Sequence, residues 1–502
     1  LQKSQDRLTK SISRLSSGYK INSSSDDAAG YAISEKMRLQ LRGLNQADNN
    51  AADGVSVLHT AEGAMEEIQS MLARMKELSV QAANGTNSVD ERSAIQSEID
   101  SLNSEIDRIS SNTEFNSQTL ISGNLSRRVY SNYEGVNQIE VSDNFVAGNY
   151  GITITQDARQ AIVVGNGAVT MSDTATVTKE QAGTISMNGY GIEISEGDTL
   201  AGIMGKLVDG ADKIGGRVFA ITAGATNDTK VNGTDYAGYE PQTSYAGNNI
   251  VFMTKESGSS KTMNITCSNA ELANMLGIAT AATNSGMYAE GSDVQAEFTL
   301  DNDGKRVGFA DSAVISTSGT RVTVKDVNNR TFVTDVPSNV AGTQFSDTAK
   351  ADDKSTATST QTAKVTQEVT DVGTMSVHVG ANENQVILID IPAVTSYTLG
   401  TENLNVMTSV TASEAIDTID TAVAYANRVR SQMGAYENRF EHTTNNLGTA
   451  SENLTSAIST MTDTDMAEEM TEYTSLNVMT QAATSILAQA NERPSTVLQI
   501  LQ

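Results

Sequence analysis

Cysteine, tryptophan and proline are scarce in this chain of 502 residues, which has one Cys, no Trp and 4 Pro. Cys267 cannot close an internal disulfide, and a buried apolar role is favoured for it over a reactive thiol. Aromatic residues make up 5% of the chain, which predicts modest cores with much helix or repetitive sheet. The length predicts at least two domains, stabilised by packing and assembly.

Basic residues are also few, with 34 Lys and Arg against 61 Asp and Glu and a formal net charge of −27. This charge repels phosphate backbones and anionic lipid head groups, so neither nucleic acid nor a membrane is an expected partner. No stretch approaches the ~20 apolar residues of a membrane span. The most apolar run, residues 386–394, contains Asp390 and Pro392 and is predicted to be a strand.

The N-terminal region, residues 2–122, has no proline and repeats apolar residues at steps of three and four, which predicts helices. The run Asn84-Gly85-Thr86-Asn87 predicts a helix end, and Ser88 with Glu91 predicts a capping box that starts the next helix. One apolar stripe precedes that break, with Ser79 as its single polar position: Leu58, Ala61, Met65, Ile68, Leu72, Met75 and Ala82.

The C-terminal region is more regular, because two interleaved heptad series run through residues 415–461 without a slip. They predict one long helix that buries a continuous apolar side against a partner helix. Asp463-Thr464-Asp465 predicts a break and a cap for a further helix, which Arg493-Pro494 is expected to end. The apolar tail that follows, with Val497, Leu498 and Leu501, is interpreted as an assembly surface.

Between residues 130 and 399 the sequence is rich in Thr, Ser, Gly, Asn and Val with a period of two, which predicts strands and tight turns. Residues 298–307 and 322–336 predict two hairpins, while residues 341–369 are weakly patterned and predict a long loop or surface strands. The fold class is therefore α+β: a long α-helical, coiled-coil-like rod built from both chain termini, with a β-rich central insertion as one or more outer domains.

Both ends of the chain resemble bacterial flagellin. The N-terminal motifs are Arg14-Leu15-Ser16-Ser17-Gly18, Asp26-Asp27-Ala28-Ala29-Gly30, Ala51-Ala52-Asp53-Gly54 and Glu77-Leu78-Ser79-Val80-Gln81-Ala82-Ala83-Asn84-Gly85. The C-terminal motifs are Asn438-Arg439-Phe440, Asp465-Met466-Ala467 and Leu487-Ala488-Gln489-Ala490-Asn491. The centre carries no motif of any family.

The resemblance implies a structural subunit of a secreted, extracellular flagellar filament that polymerises with copies of itself. Residues 1–28 and 463–502 would form the inner-core helices, residues 29–150 and 400–462 the second layer, and residues 151–399 the outer domains. A flagellar export chaperone and the filament cap protein are the other expected partners. The assembly residues are expected to be Leu8, Ile12, Leu15, Met466, Met470, Ile486, Leu487, Val497, Leu498 and Leu501.

The sequence departs from the family pattern in two ways. The stretch that relatives carry before the position of Leu1 is missing here, so we expect a shortened innermost helix pair. Ile458 and Thr460 stand near positions where many flagellins have arginine, and Ser475 stands where many have lysine, so we expect different contacts between the helical layers.

Flagellins are also ligands of Toll-like receptor 5, and by motif the receptor-binding residues would be Arg74, Leu78 and Glu98. Arg74 and Leu78 are four residues apart, so one helix places them on neighbouring positions. An exposed arginine beside an apolar anchor is a frequent hot-spot composition. Without the resemblance, Arg74 and Glu98 would be interpreted as solvated charges and Leu78 as a core residue.

Enzymatic function is not predicted, and neither is a cofactor or a metal. His59, His378 and His442 are isolated in the sequence, with no metal-binding histidine helix or paired cysteines. Asp301-Asn302-Asp303-Gly304 is similar to the start of a calcium loop, but the twelfth position is Ser312 rather than an acid, so a hairpin turn is preferred. The main alternative to a filament subunit is a surface adhesin or fibre protein with a central binding head.

Overall fold

The computed structural model describes residues 2–142, 145–222, 245–278, 287–301, 303–327, 330–338, 340, 345–346, 356–357, 362–370 and 372–500. Side chains are described in all of these except residues 222, 345–346, 356–357 and 495–500. The chain divides into two compact units. Unit 1 consists of Leu1–Ser56, Ser376–Leu388 and Ala435–Gln502, and unit 2 consists of Val57–Met375 and Ile389–Gly434.

Helices dominate both ends of the chain, as the sequence predicts. The described residues form α1 (Gln2–Ser17), α2 (Ala28–Ala83), α3 (Val89–Asn112), α4 (Leu200–Lys213), α5 (Ala270–Met275), α6 (Ser396–Leu399), α7 (Ser409–Thr462) and α8 (Met466–Ile500). Helices α2 and α7 have 56 and 54 residues, several times the mean of about 11–12 residues in globular proteins.

The helix starts follow local polar side chains that accept the free N–H groups of the first turn. Asp27 Oδ1 accepts from the backbone N of Ala29 and Gly30 at the start of α2. Asp465 Oδ1 accepts from Ala467 and Glu468 at the start of α8. The predicted capping box at α3 is confirmed, since the Ser88 side chain accepts from the Glu91 backbone and the Glu91 side chain accepts from Ser88.

The end predicted for the last helix is wrong, because α8 continues through Pro494 to Ile500. Proline removes only its own N–H from the helical ladder and disturbs the carbonyl one turn earlier. The other residues of the turn keep their hydrogen bonds, so one proline near a chain end does not stop the helix.

The predicted apolar stripes are confirmed as the buried sides of the helices. In α2, the residues from Leu58 to Ala82 that form the stripe are at most 2% exposed, and Ser79 is accommodated by donating to the Met75 carbonyl at 2.9 Å. In α7, both heptad series are buried from Ala415 to Leu447 apart from the half-buried Thr443. From Ala450 to Met461 their members are only half-buried.

The centre of the chain is rich in strands. These are β1 (Glu114–Phe115), β2 (Gln118–Thr119), β3 (Val129–Ser131), β4 (Asn137–Val141), β5 (Gly148–Gln156), β6 (Gln160–Val164), β7 (Gly183–Met187), β8 (Tyr190–Ile194), β9 (Gly216–Thr222), β10 (Asn248–Ser257), β11 (Thr262–Cys267), β12 (Met287–Glu290), β13 (Gln295–Phe298), β14 (Val314–Ser318), β15 (Arg321–Lys325), β16 (Thr331–Asp335), β17 (Phe345–Ser346), β18 (Thr356–Ala357), β19 (Ala363–Val369), β20 (Met375–His378) and β21 (Val386–Ile389).

Two hydrophobic cores lie within the strand-rich part of unit 2. Sheets β13-β5-β19-β3 and β14-β15-β16-β4 enclose the first, in which Phe145, Phe309 and Phe332 make edge-to-face contacts. Sheets β6-β10-β9 and β12-β11-β7-β8 pack with α4 around the second, which contains Leu207 and Phe252. The second core is built entirely from residues 161–289, inside the sequence span of the first.

Both predicted hairpins are present. Asp301 N donates to Lys305 O at 2.8 Å, and Val307 N donates to Thr299 O at 2.9 Å, which closes the first. Strands β15 and β16 pair antiparallel in the second, while Asn328 and Asn329 lie outside the described residues.

Several predictions for this region are corrected. The N-terminal helices end at Asn112 rather than near residue 122, because β1 and β2 form a hairpin whose turn residues Asn116 and Ser117 have left-handed φ values of 51° and 64°. Helices α4, α5 and α6 interrupt a region predicted as strands. The strand predicted for residues 386–394 ends at Ile389, three residues before Pro392, which has no N–H to donate to a sheet.

The weakly patterned residues 341–369 contain a strand of the first core rather than only a loop or surface strands. Strand β19 lies between β5 and β3, and its Ala363, Val365 and Val369 are at most 3% exposed. Strands β17 and β18 pair with each other, and most of the remainder, residues 341–361, lies outside the described residues.

Candidate interaction surfaces of the helical ends

Helices from opposite ends of the chain meet within unit 1, where α1 packs along α8. Leu8 and Leu15 of α1 are half-buried, and Leu476 of α8 is buried. Glu469 is also buried, and its carboxylate lies 3.8 Å from the Arg14 guanidinium. The ion pair between Arg14 and Glu469 thus joins α1 to α8 within unit 1.

A short backbone bridge fixes the chain between α1 and α2 beside the break between α7 and α8. Lys20 N donates to Thr462 O at 2.7 Å, and Thr464 N donates to Gly18 O at 3.0 Å. Gly18 has a φ of +77°, which favours glycine, although a Cβ there would meet no atom within 4 Å. This bridge is not predicted from the sequence, in which its one signal is the glycine that closes the Arg14–Gly18 motif.

Most of the predicted assembly residues that the structure describes carry exposed apolar side chains. Ile12, Met466, Met470, Ile486 and Leu487 are 47%, 48%, 47%, 67% and 53% exposed. Val478 and Met479, which the prediction omits, are exposed as well. Leu501 and the side chains of Val497 and Leu498 lie outside the described residues. Such a concentration of exposed apolar side chains on two adjacent helices is typical of a protein-binding surface.

The predicted receptor-binding residues Arg74 and Glu98 lie together on the surface of unit 2. Arg74 on α2 donates to Glu98 on α3 at 3.0 Å and to Glu77 at 3.2 Å. These hydrogen bonds, that with Glu98 above all, raise the pKa of Arg74 above its ordinary value. The side chains of Arg74 and Glu98 are 51% and 45% exposed, so both are accessible to a partner.

Leu78 does not belong to the same exposed surface, because it is 2% exposed. The prediction that Leu78 would act as an exposed apolar anchor beside Arg74 is therefore wrong. Side chains four residues apart on a helix point in directions that differ by about 40°. This difference is enough for Arg74 to lie at the exposed edge of α2 while Leu78 points into the core. Leu78 is a core residue of unit 2.

Asp301 and Cys267 have structural surroundings rather than catalytic ones. Asp301 Oδ1 accepts from the backbone N of Asp303 and Lys305 at 2.9 and 2.8 Å, so this carboxylate organises the hairpin turn. Asn302 lies outside the described residues. Burial raises the pKa of the Cys267 thiol, which contacts the carbonyl of Asn269, and a protonated thiol is a poor nucleophile.

Among the described helices, none combines the length and the apolar character that a bilayer crossing requires. The described elements define an α+β protein whose helical ends flank inserted sheets.

Comparison with known proteins identifies the family. Residues 1–126 match the bacterial flagellin N-terminal helical region, and residues 416–501 match the bacterial flagellin C-terminal helical region. A flagellin of Clostridium tyrobutyricum is 31% identical over 496 residues, covering 97% of this chain and 94% of the relative. A flagellin of Salmonella typhimurium is 30% identical over 534 residues, covering 100% of this chain and 97% of the relative.

A solved structure of FliC from Burkholderia pseudomallei covers 77% of this chain and 99% of its own, at 14% identity and a TM-score of 0.23. The chain belongs to the bacterial flagellin family. Members of this family are the structural subunits of the extracellular flagellar filament and polymerise with copies of themselves. Membership favours the filament subunit over the surface adhesin.

Proposed function

We propose that this flagellin polymerises through the exposed apolar side chains of α1 and α8. The observation that carries the proposal is the group of half-exposed apolar residues on these two helices, among them Ile12, Met470 and Ile486. Burying one such side chain completely contributes about 1.5–3 kcal/mol. Several buried together outweigh the loss of translational and rotational freedom on association.

The proposal includes an assignment of the chain to three layers of the filament. Residues 1–28 and 463–502 form the inner core of the filament, residues 29–150 and 400–462 the second layer, and residues 151–399 the outer domains. The subunit is secreted before it assembles, with an export chaperone and the cap protein as further partners. The resemblance at both chain ends supports these assignments.

Deleting residues 471–502 should abolish filaments, because it removes most of α8 and with it the side chains that join the copies. Seeded polymerisation, followed by sedimentation and electron microscopy, measures the result. A milder variant, Ile486→Ser with Leu487→Ser, should reduce the polymer while circular dichroism shows unchanged helix content. The matched control, Gln481→Ala with Ser485→Ala, changes exposed polar residues of the same helix and should polymerise as the parent does. Filaments of normal length from the deletion variant would contradict the proposal.

The monomer is further proposed to be recognised by Toll-like receptor 5 through Arg74 and Glu98. The ion pair between α2 and α3 presents a guanidinium and a carboxylate side by side at half exposure. Leu78 takes part only from the core, by holding the α2 backbone in place.

Arg74→Ala should lower receptor activation about tenfold, which corresponds to the loss of ~1.4 kcal/mol of binding energy. Arg108→Ala is the matched control, since Arg108 is also exposed and paired, with Glu105 on the same helix. Receptor-reporter assays on monomeric protein measure both variants. Equal activation by Arg74→Ala and the parent would remove Arg74 from the binding surface.

A further inference from the structure

A groove of about 490 Å³ runs along unit 1 between α2 and α7. Leu44, Asn45 and Asp48 line it from α2, and residues of α7 between Leu447 and Ser459 line it from the other side. It lies where the heptad stripe of α7 changes from buried to half-buried. This end of the stripe therefore has an opening that the described part of the chain does not fill.

The groove combines two leucines and two acidic residues with neutral polar residues. Leu447 is buried and Leu44 half-buried, while Asp48 and Glu452 supply the charges, and no lysine or arginine is among the described lining residues. The Oδ1 atom of Asp48 is buried and has no hydrogen-bond partner in the described structure. A buried carboxylate oxygen without a partner is costly. The groove thus matches an occupant that combines an apolar side chain with a cation.

A ridge of that composition lies on α2 itself. Leu39 is 64% exposed, and the exposed cations Lys36 and Arg42 stand three residues before and after it. Within the described residues neither cation has an ion-pair partner. Residues three apart are neighbours on a helix surface, so Lys36, Leu39 and Arg42 form one continuous cationic ridge.

Leu39, the centre of the ridge, cannot reach the groove of its own chain, whereas Arg42 stands three residues before the groove-lining Asn45, at the edge of the groove. Leu39 and Asp48 are nine residues apart on one continuous helix, about two and a half turns, so their side chains point to opposite sides of α2. Two different surfaces that complement each other on opposite sides of one unit form a head-to-tail contact. Such a contact, when its rotation does not close a ring, generates an open helical polymer.

We propose that the cationic ridge of one copy, Lys36, Leu39 and Arg42, binds in the acidic groove of the next copy. Leu39 packs on Leu44 and Leu447, and the cations pair with Asp48 and Glu452. This contact rests on the proposed polymerisation and adds to it a specific interface outside the α1 and α8 surface.

Charge reversal tests the contact with the full-length chain. Arg42→Glu alone and Glu452→Arg alone should each slow seeded polymerisation about tenfold, the factor that corresponds to ~1.4 kcal/mol. An equal mixture of the two variants should polymerise, because the acidic ridge of the Arg42→Glu variant meets the basic groove of the Glu452→Arg variant. In the next contact, the basic ridge of the Glu452→Arg variant meets the acidic groove of the Arg42→Glu variant. The variant that carries both reversals should polymerise by itself. A mixture and a double variant that both remain as slow as the single variants would overturn the proposal.

A steric variant tests the groove separately. Gly448 lies in the groove and Gly434 lies elsewhere on α7, and a Cβ at either glycine would meet no atom within 4 Å. Gly448→Leu should block polymerisation while Gly434→Leu should not, and both should remain folded because leucine favours a helix over glycine. Equal polymerisation of the two variants, or equal loss, would contradict a specific groove. A parent chain that fails to polymerise would instead overturn the proposed function.

Discussion

Tyr425 shows how a polar group is accommodated inside the helical part of unit 2. Its ring is 5% exposed, and its hydroxyl donates to the Ala393 carbonyl at 2.8 Å. Arg428 lies 5.5 Å from the ring centre and pairs with Glu140 on β4. Burial raises the pKa of Tyr425 far above its ordinary value. The hydroxyl is therefore held in its protonated form, and it ties α7 to the segment that follows β21.

Alkaline pH should destabilise unit 2 through its tyrosines. Burial and the hydrogen bond to Asp335 raise the pKa of Tyr397 to about 12 from the ordinary value of 10.0. The folded form thus keeps this proton where the unfolded form loses it, so the stabilisation is complete below pH 10 and is lost as the pH rises through 12. Thermal unfolding between these values, with tyrosinate absorbance recorded in parallel, measures the loss.

Tyr397→Phe should reduce the slope of that pH dependence, because it removes one of the hydroxyls whose pKa is raised in the folded form, while Tyr425 is unchanged. Tyr130→Phe, at an exposed tyrosine of β3, is the control and should keep the slope of the parent. A parent whose free energy of unfolding does not change between pH 10 and 12 would contradict the assigned shift.

Residue-level predictions from the sequence fail where one helix contacts neighbours on more than one side. The stripe from Leu58 to Ala82 is predicted correctly because its period is regular. Leu78 stands three residues after Met75 and four before Ala82, and it is buried with them. Its residue pattern alone predicts a core position, and only the resemblance places it on the receptor-binding surface. The pairing of Arg74 with Glu98 joins two helices, and the spacing within either one contains no information about it.

At the scale of single elements, the capping box of α3 is an example of local sequence that determines local structure. Ser88 N donates to Glu91 Oε2 at 2.7 Å, and Glu91 N donates to Ser88 Oγ at 3.3 Å. The hydrogen bonds from Ser88 lower the pKa of Glu91. All partners lie within one turn, so the sequence predicts the start of α3 to the residue.

Ser88→Ala should reduce the free energy of unfolding by about 1 kcal/mol, the usual effect of losing an N-cap side chain. Urea denaturation followed by circular dichroism measures the change. Ser97→Ala provides the matched control within α3, where an exposed serine donates back to the Ser93 carbonyl. Alanine is the better helix former at that position, so the control should be neutral or slightly stabilising. Equal destabilisation of both variants would show that the cap is not responsible.

Helix α4 is missed by the sequence analysis because its local propensity is weak. Three of its residues are glycines, Gly202, Gly205 and Gly210, and glycine disfavours a helix interior. Gly210 has a packing role, since a Cβ there would lie 2.3 Å from Ile192 Cδ1. Contacts with the second core thus stabilise α4, although its three glycines give it a low helix propensity.

Strand β19 is missed for a related reason. Its inward positions include Gln367, which is 1% exposed and donates its amide to Thr334 Oγ1 at 2.9 Å. A polar residue in the buried series hides the alternation that would predict the strand. The partner that satisfies it comes from the other sheet of the first core, 33 residues away.

For the whole molecule, the order of helices, sheets and helices is visible in the sequence because each region has its own periodicity over many residues. The meeting of α1 with α8 is inferred from that order and is present in unit 1. The division of the inserted part into two cores is not predictable in the same way. It depends on pairings such as that of β5 with β19, whose residues Ile152 and Val365 are brought together only by tertiary structure.

The bridge beside Gly18 has a consequence for the kinetics of folding. Lys20 Nζ donates to the carbonyl of Thr460, 440 residues away along the chain. Closing a flexible loop of that length costs about 5 kcal/mol in chain entropy, and contacts of high sequence separation form slowly. Folding of the intervening residues shortens the loop, so the two ends should meet late.

We therefore expect the backbone amides of Lys20 and Thr464 to gain protection from hydrogen exchange after those of α3, in pulse-labelling during refolding. Earlier protection at the bridge would contradict this order. A late closure means that α1 and α8 pair, and so form the surface proposed to join copies, only after the rest of the subunit has folded. Polymerisation is thereby restricted to subunits that are already folded.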